Sequence, residues 1–206
     1  MPKLLPVATN RLEAFSDGVI AVAITLLVLN LVVPDPARTH DLANALGQRW
    51  PGYVAYAISF LTIGIIWLNH HAMIGRLREA DHTILLLNLI LLLTIGLLPF
   101  ATDLMASYLR APHGEHLAAA VYAGAFLLMG CAFAILNRHI LFDKAHLLKT
   151  QLPSERRRLI LVRSVSGLLP YAIAVALAPL SAYASLAICG VLAVFYATPA
   201  ASGVSS

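Results

Sequence analysis

Charged residues are scarce in this sequence. Only 12% of its 206 residues are Asp, Glu, Lys or Arg, whereas 60% are hydrophobic. Soluble domains average about 25% charged and about 45–50% apolar residues. The low charge therefore excludes an ordinary soluble domain, and the high hydrophobicity excludes a disordered chain. The composition predicts an all-α integral membrane protein.

Cysteine is also scarce, since the sequence contains only Cys131 and Cys189, and both lie inside apolar stretches. Neither a disulfide framework nor a metal-binding cysteine pair is predicted. The sequence has no Gly-rich phosphate loop, no Thr-Val-Gly-Tyr-Gly selectivity filter and no evident internal repeat. The net charge of +4 is spread between apolar runs, so nucleic-acid binding is not predicted. We expect neither an enzyme nor a cofactor.

Six segments are apolar over about the 20 residues that a membrane-spanning helix needs. The divide between the last two is the weakest, because only Ala178–Ser181 separates them, and one long kinked helix is the alternative there. The first apolar run exceeds the roughly 7–15 residues of a signal peptide, so it is read as a retained helix. Residues 1–199 are assigned to one six-helix domain and 200–206 to a flexible cytoplasmic tail. The six segments are about 14–33, 51–74, 83–107, 117–137, 160–178 and 181–198.

The Lys and Arg residues between these segments indicate the orientation, because cytoplasmic loops carry an excess of them. If the amino terminus is inside, the opposite side holds only Arg38, Arg49 and Arg110. Both termini are therefore predicted to be cytoplasmic. The larger, cytoplasmic set is Lys3, Arg11, Arg76, Arg78, Arg138, Lys144, Lys149, Arg156, Arg157 and Arg158.

One face of the first predicted span is an apolar stripe with a single hydroxyl. At about 100° per residue, the side chains at one-turn intervals fall within a narrow sector. Packing against another helix or lipid explains such a stripe in most membrane helices. If the helix lines a pore, the constriction is instead a stack of methyl groups. The stripe consists of Gly18, Val22, Thr25, Leu26, Leu29 and Val33.

Polar side chains from three spans are predicted to meet near the cytoplasmic edge. Asp17 points away from the stripe, and an acid in a membrane helix is costly unless it is paired or hydrated. Asn69, His70 or His71, and Asn88 fall at a similar depth. A polar cluster that fixes helix packing, with donors from Arg11 and Ser16, and a gating or proton-linked role both remain open. No metal site is predicted, because adjacent histidines on a helix point about 100° apart.

The motif Arg11-x-x-x-Phe15-Ser16-Asp17 at the start of the first span resembles the lysosomal potassium channel family (transmembrane protein 175 family), in its prokaryotic form. Thr25, the Trp67-x-x-His70-His71 sequence and the Leu-Asn-Leu around Asn88 are similar to that family as well. The resemblance covers the first half of the chain, whereas the last three spans match only in number and spacing.

This resemblance implies a passive, potassium-preferring channel in a bacterial inner membrane, with the first helices lining a central pore. It assigns the constriction to Val22, Leu26 and Leu29, and cation preference to Thr25. The signature residues Arg11, Phe15, Ser16 and Asp17 are expected to hold the first helix, together with Trp67, Asn69, His70, His71 and Asn88. Because one helix cannot enclose a pore, a six-span chain is expected to form a homotetramer.

Two other classes of function remain open on the sequence. A membrane carrier or enzyme would use Asp17, His70 and His71 for proton or group transfer. It would need a pocket open to the cytoplasm and would tolerate changes in the stripe. A small membrane scaffold without transport is the third possibility.

Overall fold

The computed structural model describes residues 7–37 and 39–198, which form a helical bundle. Lys3, Arg38 and the predicted tail 200–206 lie outside the described residues. Two short strands, β1 (Val7–Ala8) and β2 (Glu79–Ala80), accompany the helices. The α-helices are α1 (Thr9–Leu26), α2 (Leu42–Gln48), α3 (Trp50–Gly75), α4 (His82–Gly96), α5 (Leu98–Tyr108), α6 (Glu115–Arg138), α7 (Ser154–Ser166), α8 (Leu168–Leu177) and α9 (Ala182–Ala197).

Five helical segments in the described part of the chain are long and apolar enough to cross a membrane. Several combine two consecutive elements: α4 continues into α5, and α7 into α8. The sixth apolar helix, α9, has 16 residues, so it is about 24 Å long and shorter than the roughly 30 Å hydrocarbon core. The five long segments are Thr9–Asn30, Trp50–Gly75, His82–Tyr108, Glu115–Asp143 and Ser154–Leu177.

Prolines cause the two breaks inside these segments. Pro99 follows the junction of α4 and α5 at Leu97, and Pro170 follows the junction of α7 and α8 at Gly167. A proline lacks the backbone N–H and its ring crowds the preceding turn, so a helix kinks just before it. Each pair of helices is one continuous apolar segment, long enough for a single crossing.

The last two spans are separate helices, and the alternative of one long kinked helix is wrong. α8 ends at Leu177, and the N–H groups of Leu180 and Ser181 both donate to the Leu177 carbonyl. The Ser181 hydroxyl then accepts from the N–H of Ala184 and caps α9. A capped start after a tight turn allows α9 to fold back against α8.

The first helical segment ends at Asn30 rather than at residue 33. α1 passes into one 3-10 turn, Leu27–Asn30, after which the backbone leaves the helix. Val33 therefore does not belong to the helical stripe. Pro34 disfavours helical geometry at the residue before it, and the Asn30 side chain donates to the Pro99 carbonyl at 3.0 Å. This bond fixes the end of the first segment to the kink between α4 and α5.

The fifth segment begins earlier than predicted. The stretch from Arg138 to Arg158 is not wholly a loop, since α6 runs to Arg138, a π-helical turn continues to Asp143, and α7 begins at Ser154. Consecutive arginines obscured this start in the sequence, although Glu155 in the first turn favours a helix beginning there.

One end of the bundle is held together by short backbone pairings. We call it the basic end, because most Lys and Arg residues lie in or beside the segments that meet there. β1 and β2 pair antiparallel, with Val7 opposite Ala80. Leu77 forms a bridge with Leu148, which joins the turn after α3 to the turn before α7. The amino end of α1, the turn between α3 and α4 and the connection between α6 and α7 therefore lie together.

α6 is the centre of the core, and α1 lies at the edge of the bundle. α6 packs against α4, α5, α7, α8 and α9, whereas α1 packs mainly against α3 and α4. Tyr122 and Phe126 of α6 are fully buried, with ring centroids 4.8 Å apart. α1 thus has one side attached to the bundle and one side outside it.

Candidate functional site: the exposed face of the first helix and its polar attachment

α1 buries one face and exposes the other, and both faces are apolar. Leu12, Ile20 and Ala23 are at most 6% exposed, and they pack against the bundle. On the opposite side Val22 is 56%, Leu26 42% and Leu29 71% exposed. An apolar helix face outside the core of its own chain contacts either lipid or another copy of the chain. These three residues are the ones that the family resemblance assigned to the constriction.

A shallow apolar groove runs along this exposed face. It extends from the first turns of α1 to the end of α4, where Gly96 contributes no side chain. Phe15 lies in it and is 54% exposed, so it belongs to the apolar face and not to a polar network. The lining residues are Ala14, Phe15, Gly18, Val19, Val22, Ala23, Leu26 and Gly96.

Thr25 brings the one hydroxyl to this face. Its Oγ1 donates to the carbonyl of Val22 at 2.9 Å, one turn earlier. This bond is common for threonine in membrane helices. It uses the hydroxyl proton and leaves the oxygen lone pairs facing outward, so the exposed oxygen acts as an acceptor.

The 3-10 turn keeps Leu29 on the same face as Leu26. A 3-10 helix advances about 120° per residue, so positions three apart are eclipsed. Leu29 therefore lies almost directly over Leu26, whereas in a continuous α-helix it would be rotated by about 60°. The exposed face of Val22, Thr25, Leu26 and Leu29 is continuous despite the change of helix type.

A buried hydrogen-bond chain joins α1, α3 and α4. The His70 imidazole Nε2 and the Asn88 Oδ1 are 2.8 Å apart, and Asn88 Nδ2 donates to Ser16 Oγ at 2.9 Å. Ser16 in turn donates to the Leu12 carbonyl. All three side chains are fully buried, so these bonds reduce the cost of placing polar groups in an apolar interior. The second imidazole nitrogen, His70 Nδ1, is buried without a hydrogen-bond partner among the described residues.

Asp17 is attached to α3 by a different bond. The indole Nε1 of Trp67 donates to Asp17 Oδ1 at 2.9 Å. The carboxylate is half-buried, and its partner belongs to the helix against which α1 packs. The sequence placed Asp17 and Trp67 among the residues that hold the first helix, and the structure joins them directly.

His71 points away from His70 and forms an ion pair with Glu13. The His71 Nδ1 and Glu13 Oε1 are 2.7 Å apart. The roughly 100° between adjacent helical side chains separates the two histidines, one turned into the core and one outward. Sequence analysis missed Glu13, although its position four residues before Asp17 places both acids on one side of α1.

Two residues predicted for the polar cluster do not take part in it. Asn69 is exposed, and its side chain donates only to the carbonyl of Ile65, one turn earlier on α3. The guanidinium of Arg11 forms no side-chain bond within the described residues, and Arg11 is exposed. Both predictions are wrong because equal depth along the bundle does not ensure that side chains point toward each other.

A second buried polar group in the core was not predicted. The Ser59 hydroxyl lies 2.8 Å from that of Thr102 and 3.0 Å from that of Tyr122. Tyr122 also donates to the Ala55 carbonyl at 3.3 Å. The group joins α3, α5 and α6, so it fixes the scaffold behind α1. Small hydroxyl residues within apolar spans were the available signal.

This architecture defines a multi-pass helical membrane protein with an exposed apolar helix face. The family profile described as endosomal/lysosomal potassium channel TMEM175 matches residues 11–99. A potassium channel of Streptomyces collinus is 41% identical over 188 residues, which cover 91% of each chain. The chain belongs to the TMEM175 family, and its relatives are ion channels rather than enzymes.

A solved structure supports the same relation at the level of the fold. The crystal structure of a lysosomal potassium-selective channel TMEM175 homolog from Chamaesiphon minutus matches with a TM-score of 0.82 and 37% identity. The match covers 92% of this chain and 96% of that one. A mouse endosomal/lysosomal proton channel TMEM175 is 40% identical over 118 residues, which cover 53% of this chain and 24% of the mouse protein.

Proposed function

We propose that this chain is a passive, potassium-preferring cation channel whose constriction is formed by Val22, Leu26 and Leu29. The observation that carries the proposal is the exposed apolar face of α1. That face lies on a helix whose other side is attached to its own bundle through Ser16 and Asp17. A fixed helix with an apolar outer face is suited to line a narrow path.

The proposal requires several copies of the chain around a common axis. One helix cannot enclose a pore, and closed rotational symmetry places the same face of every copy against the axis. A homotetramer provides four copies of α1. The groove beside Phe15 and Gly18 offers a surface against which the neighbouring copy's first helix can pack.

A ring of aliphatic side chains blocks ions because it provides no ligands to replace hydration water. Rings of Leu and Val in a narrow passage also favour dewetting, which closes the path without a moving plug. Opening widens the ring until water fills it. Leu29 is the most exposed of the three constriction residues, at 71%, and is expected to contribute most to this barrier.

Thr25 lies between the apolar layers and provides cation preference. Its hydroxyl proton is used by the Val22 carbonyl, so its oxygen is directed outward as an acceptor. Four such oxygens can replace part of the hydration shell of a weakly hydrated cation. We assign potassium as the permeant ion, in line with the bacterial relatives that are named potassium channels.

Ser16, Asp17, Trp67, His70 and Asn88 act as positioning residues. They attach the amino-terminal half of α1 to α3 and α4 by hydrogen bonds, and His71 adds a bond to Glu13. None of these bonds lies on the exposed apolar face. The positioning residues therefore set the place and tilt of the lining helix rather than contact the ion.

The charges at the basic end support a bacterial inner membrane location with both termini in the cytoplasm. Arg49 and Arg110 lie at the opposite end of the described chain, where Arg110 bonds to Gln48. An excess of Lys and Arg marks the cytoplasmic side. The described cations of the basic end are Arg11, Arg76, Arg78, Arg138, Lys144, Lys149, Arg156, Arg157 and Arg158.

Proton conduction is a second candidate function. It is favoured by the mouse relative, which is named a proton channel and matches 118 residues of this chain. A carrier or enzyme built on Asp17, His70 and His71 is disfavoured, because His70 is fully buried against Asn88 and His71 pairs with Glu13.

Ion flux from liposomes tests the channel proposal. Potassium and sodium gradients are imposed separately on vesicles that contain the purified chain. Leu29→Ala shortens the side chain at the constriction, so it should raise potassium flux. Leu169→Ala is the matched control, because Leu169 is 69% exposed but lies on α8, which does not pack against α1.

The outcomes separate the candidates. Potassium flux above sodium flux, raised by Leu29→Ala and unchanged by Leu169→Ala, supports the proposal. A pH-sensitive dye inside the same vesicles reports the proton alternative. Equal flux from all three proteins, each with a mass near four times the 22.1 kDa of one chain, would contradict a constriction at Leu29.

A further inference from the structure

A cluster of potential metal ligands lies on the side of α1 that faces α3, away from the exposed apolar face. Glu13 and Asp17 are one turn apart on α1, and His71 comes from α3. One ligand atom from each of the three lies within 4.8 Å of the others. We propose that Glu13, Asp17 and His71 form a site for a divalent transition-metal cation such as Zn²⁺, which joins α1 to α3.

The donor set matches the chemistry of zinc. Zinc binds imidazole nitrogen and carboxylate oxygen, and open zinc sites have three protein ligands with water in the fourth position. Ligand bonds of about 2.0–2.2 Å place the ligand atoms of a tetrahedral ion about 3.4 Å apart. The three atoms lie within 4.8 Å of one another, so side-chain rotation has to bring them to this spacing. The ion would replace the direct contact between His71 and Glu13, whose atoms are 2.7 Å apart.

The imidazole sets the selectivity of the site. Mg²⁺ and Ca²⁺ take oxygen ligands almost exclusively, whereas imidazole suits Zn²⁺ and its neighbours. His70 does not compete for the ion, because its Nε2 is bonded to Asn88 inside the core. The site uses only His71, the histidine that points outward. The angle of about 100° between His70 and His71 therefore does not prevent metal binding.

Two features of the surroundings favour the site. The Trp67 indole donates to one oxygen of Asp17 and leaves the second for an ion, which is how ligating carboxylates are commonly held. The side chains of His71 and Glu13 are 61% and 27% exposed, so an ion can enter from solvent at the basic end. Both the imidazole and the indole come from a different helix than the acids.

The site lies outside the proposed ion path. At about 100° per residue, Glu13 and Asp17 are about 140–180° around α1 from Val22. A bound ion therefore links two helices behind the constriction and leaves the path free. Binding does not depend on the proposed function, so it is tested without any flux measurement.

Calorimetric titration of the full chain in detergent with ZnCl₂ tests the proposal. We expect one Zn²⁺ per chain and little response to MgCl₂. Glu13→Gln and His71→Gln should each weaken binding at least about tenfold, since even loss of an outer-shell partner costs 10–100-fold. The control His113→Gln removes an exposed histidine from the turn before α6 and should leave binding unchanged.

Fluorescence of Trp67 gives a second readout. Trp50→Phe leaves Trp67 as the only tryptophan, and its emission should change on addition of Zn²⁺ because its indole bonds the ligand Asp17. Absence of binding in the unaltered chain would overturn the proposal. So would unchanged affinity in both Glu13→Gln and His71→Gln. If one of the two variants does not fold, the Zn²⁺ affinity of the other variant tests the proposal.

Discussion

Asn88 is the residue on which the attachment of the first helix depends most. Its amide reaches Ser16 on one side and His70 on the other, and all three side chains are fully buried. A side-chain hydrogen bond between membrane helices contributes about 0.6 kcal/mol on average and at most about 1.7 kcal/mol. One side chain thus connects α1, α3 and α4.

Asn88→Leu is expected to destabilise the protein by about 1–2 kcal/mol, because it removes both bonds while nearly preserving volume. This corresponds to a fall in melting temperature of about 2–8 °C in detergent. Asn69→Leu is the matched control and should have little effect, since the Asn69 amide bonds only within its own helix. Equal melting temperatures for the two variants would show that the hydrogen bonds of Asn88 to Ser16 and His70 contribute nothing to stability.

For single residues, the sequence predicted which side chains share one face of a helix. It did not predict which residues of another helix they contact. The helical period places Val22, Leu26 and Leu29 on one face. That this face lies outside the bundle did not follow from the period, because both faces of α1 are apolar. The partners of Asp17 and His71 did not follow, because they depend on how α1 is rotated against α3. Asn69 shows the same limit, because its side chain bonds to the carbonyl of Ile65 on its own helix and not to α1 or α4.

At the scale of elements, the start of α4 is joined to the connection between α6 and α7. Asp81 caps α4 by accepting from the Ile84 N–H at 2.9 Å, and its second oxygen lies 2.7 Å from Lys144 Nζ. Burial raises the pKa of the Asp81 carboxyl. The hydrogen bonds from Lys144 and Ile84 and the Lys144 charge outweigh burial and hold the pKa below its usual value.

Asp81→Asn keeps the oxygen that caps α4 but removes the ion pair with Lys144. It should lower the free energy of unfolding by about 0.5–1 kcal/mol at pH 7. The pKa of Asp81 is lower in the folded protein than in the unfolded chain. The ion pair therefore stabilises the folded protein at pH values above the unfolded pKa of about 3.9. That contribution disappears as the pH falls through the lower folded pKa. Unfolding measured between pH 7 and about pH 3 should show the two proteins converging.

Lys144→Gln is the control for the same pair. It should reproduce the loss at pH 7, and the double variant should lose no more than either single one. A difference between Asp81→Asn and the unaltered chain that persists unchanged at low pH would show that the cap, and not the charge, was altered.

Elements were predictable to different degrees for physical reasons. Apolar length located most of the crossings, and the turn before Ser181 divides the last two. The end of the first segment depends on a distant contact, from Asn30 to the Pro99 carbonyl, which no local pattern contains. The start at Ser154 was hidden because Arg156, Arg157 and Arg158 resemble a loop by composition.

At the scale of the whole molecule, one chain provides a helical scaffold and one helix, α1, at its edge. The core is centred on α6, whereas α1 lies at the edge with its apolar side outside the bundle. In the account proposed above, neighbouring copies of the chain cover this face. The family to which the chain belongs consists of ion channels, and the arrangement of α1 fits that activity.

The central claim is that the exposed face of α1 lines the ion path, and thiol modification tests it most directly. Leu29→Cys is made in a Cys131→Ser background, while the fully buried Cys189 is retained. Potassium flux from liposomes is recorded before and after a positively charged thiol reagent is added. Leu169→Cys in the same background is the matched control. The account predicts that the reagent abolishes most of the flux through Leu29→Cys and leaves Leu169→Cys unaffected. Unchanged flux through fully labelled Leu29→Cys would contradict it.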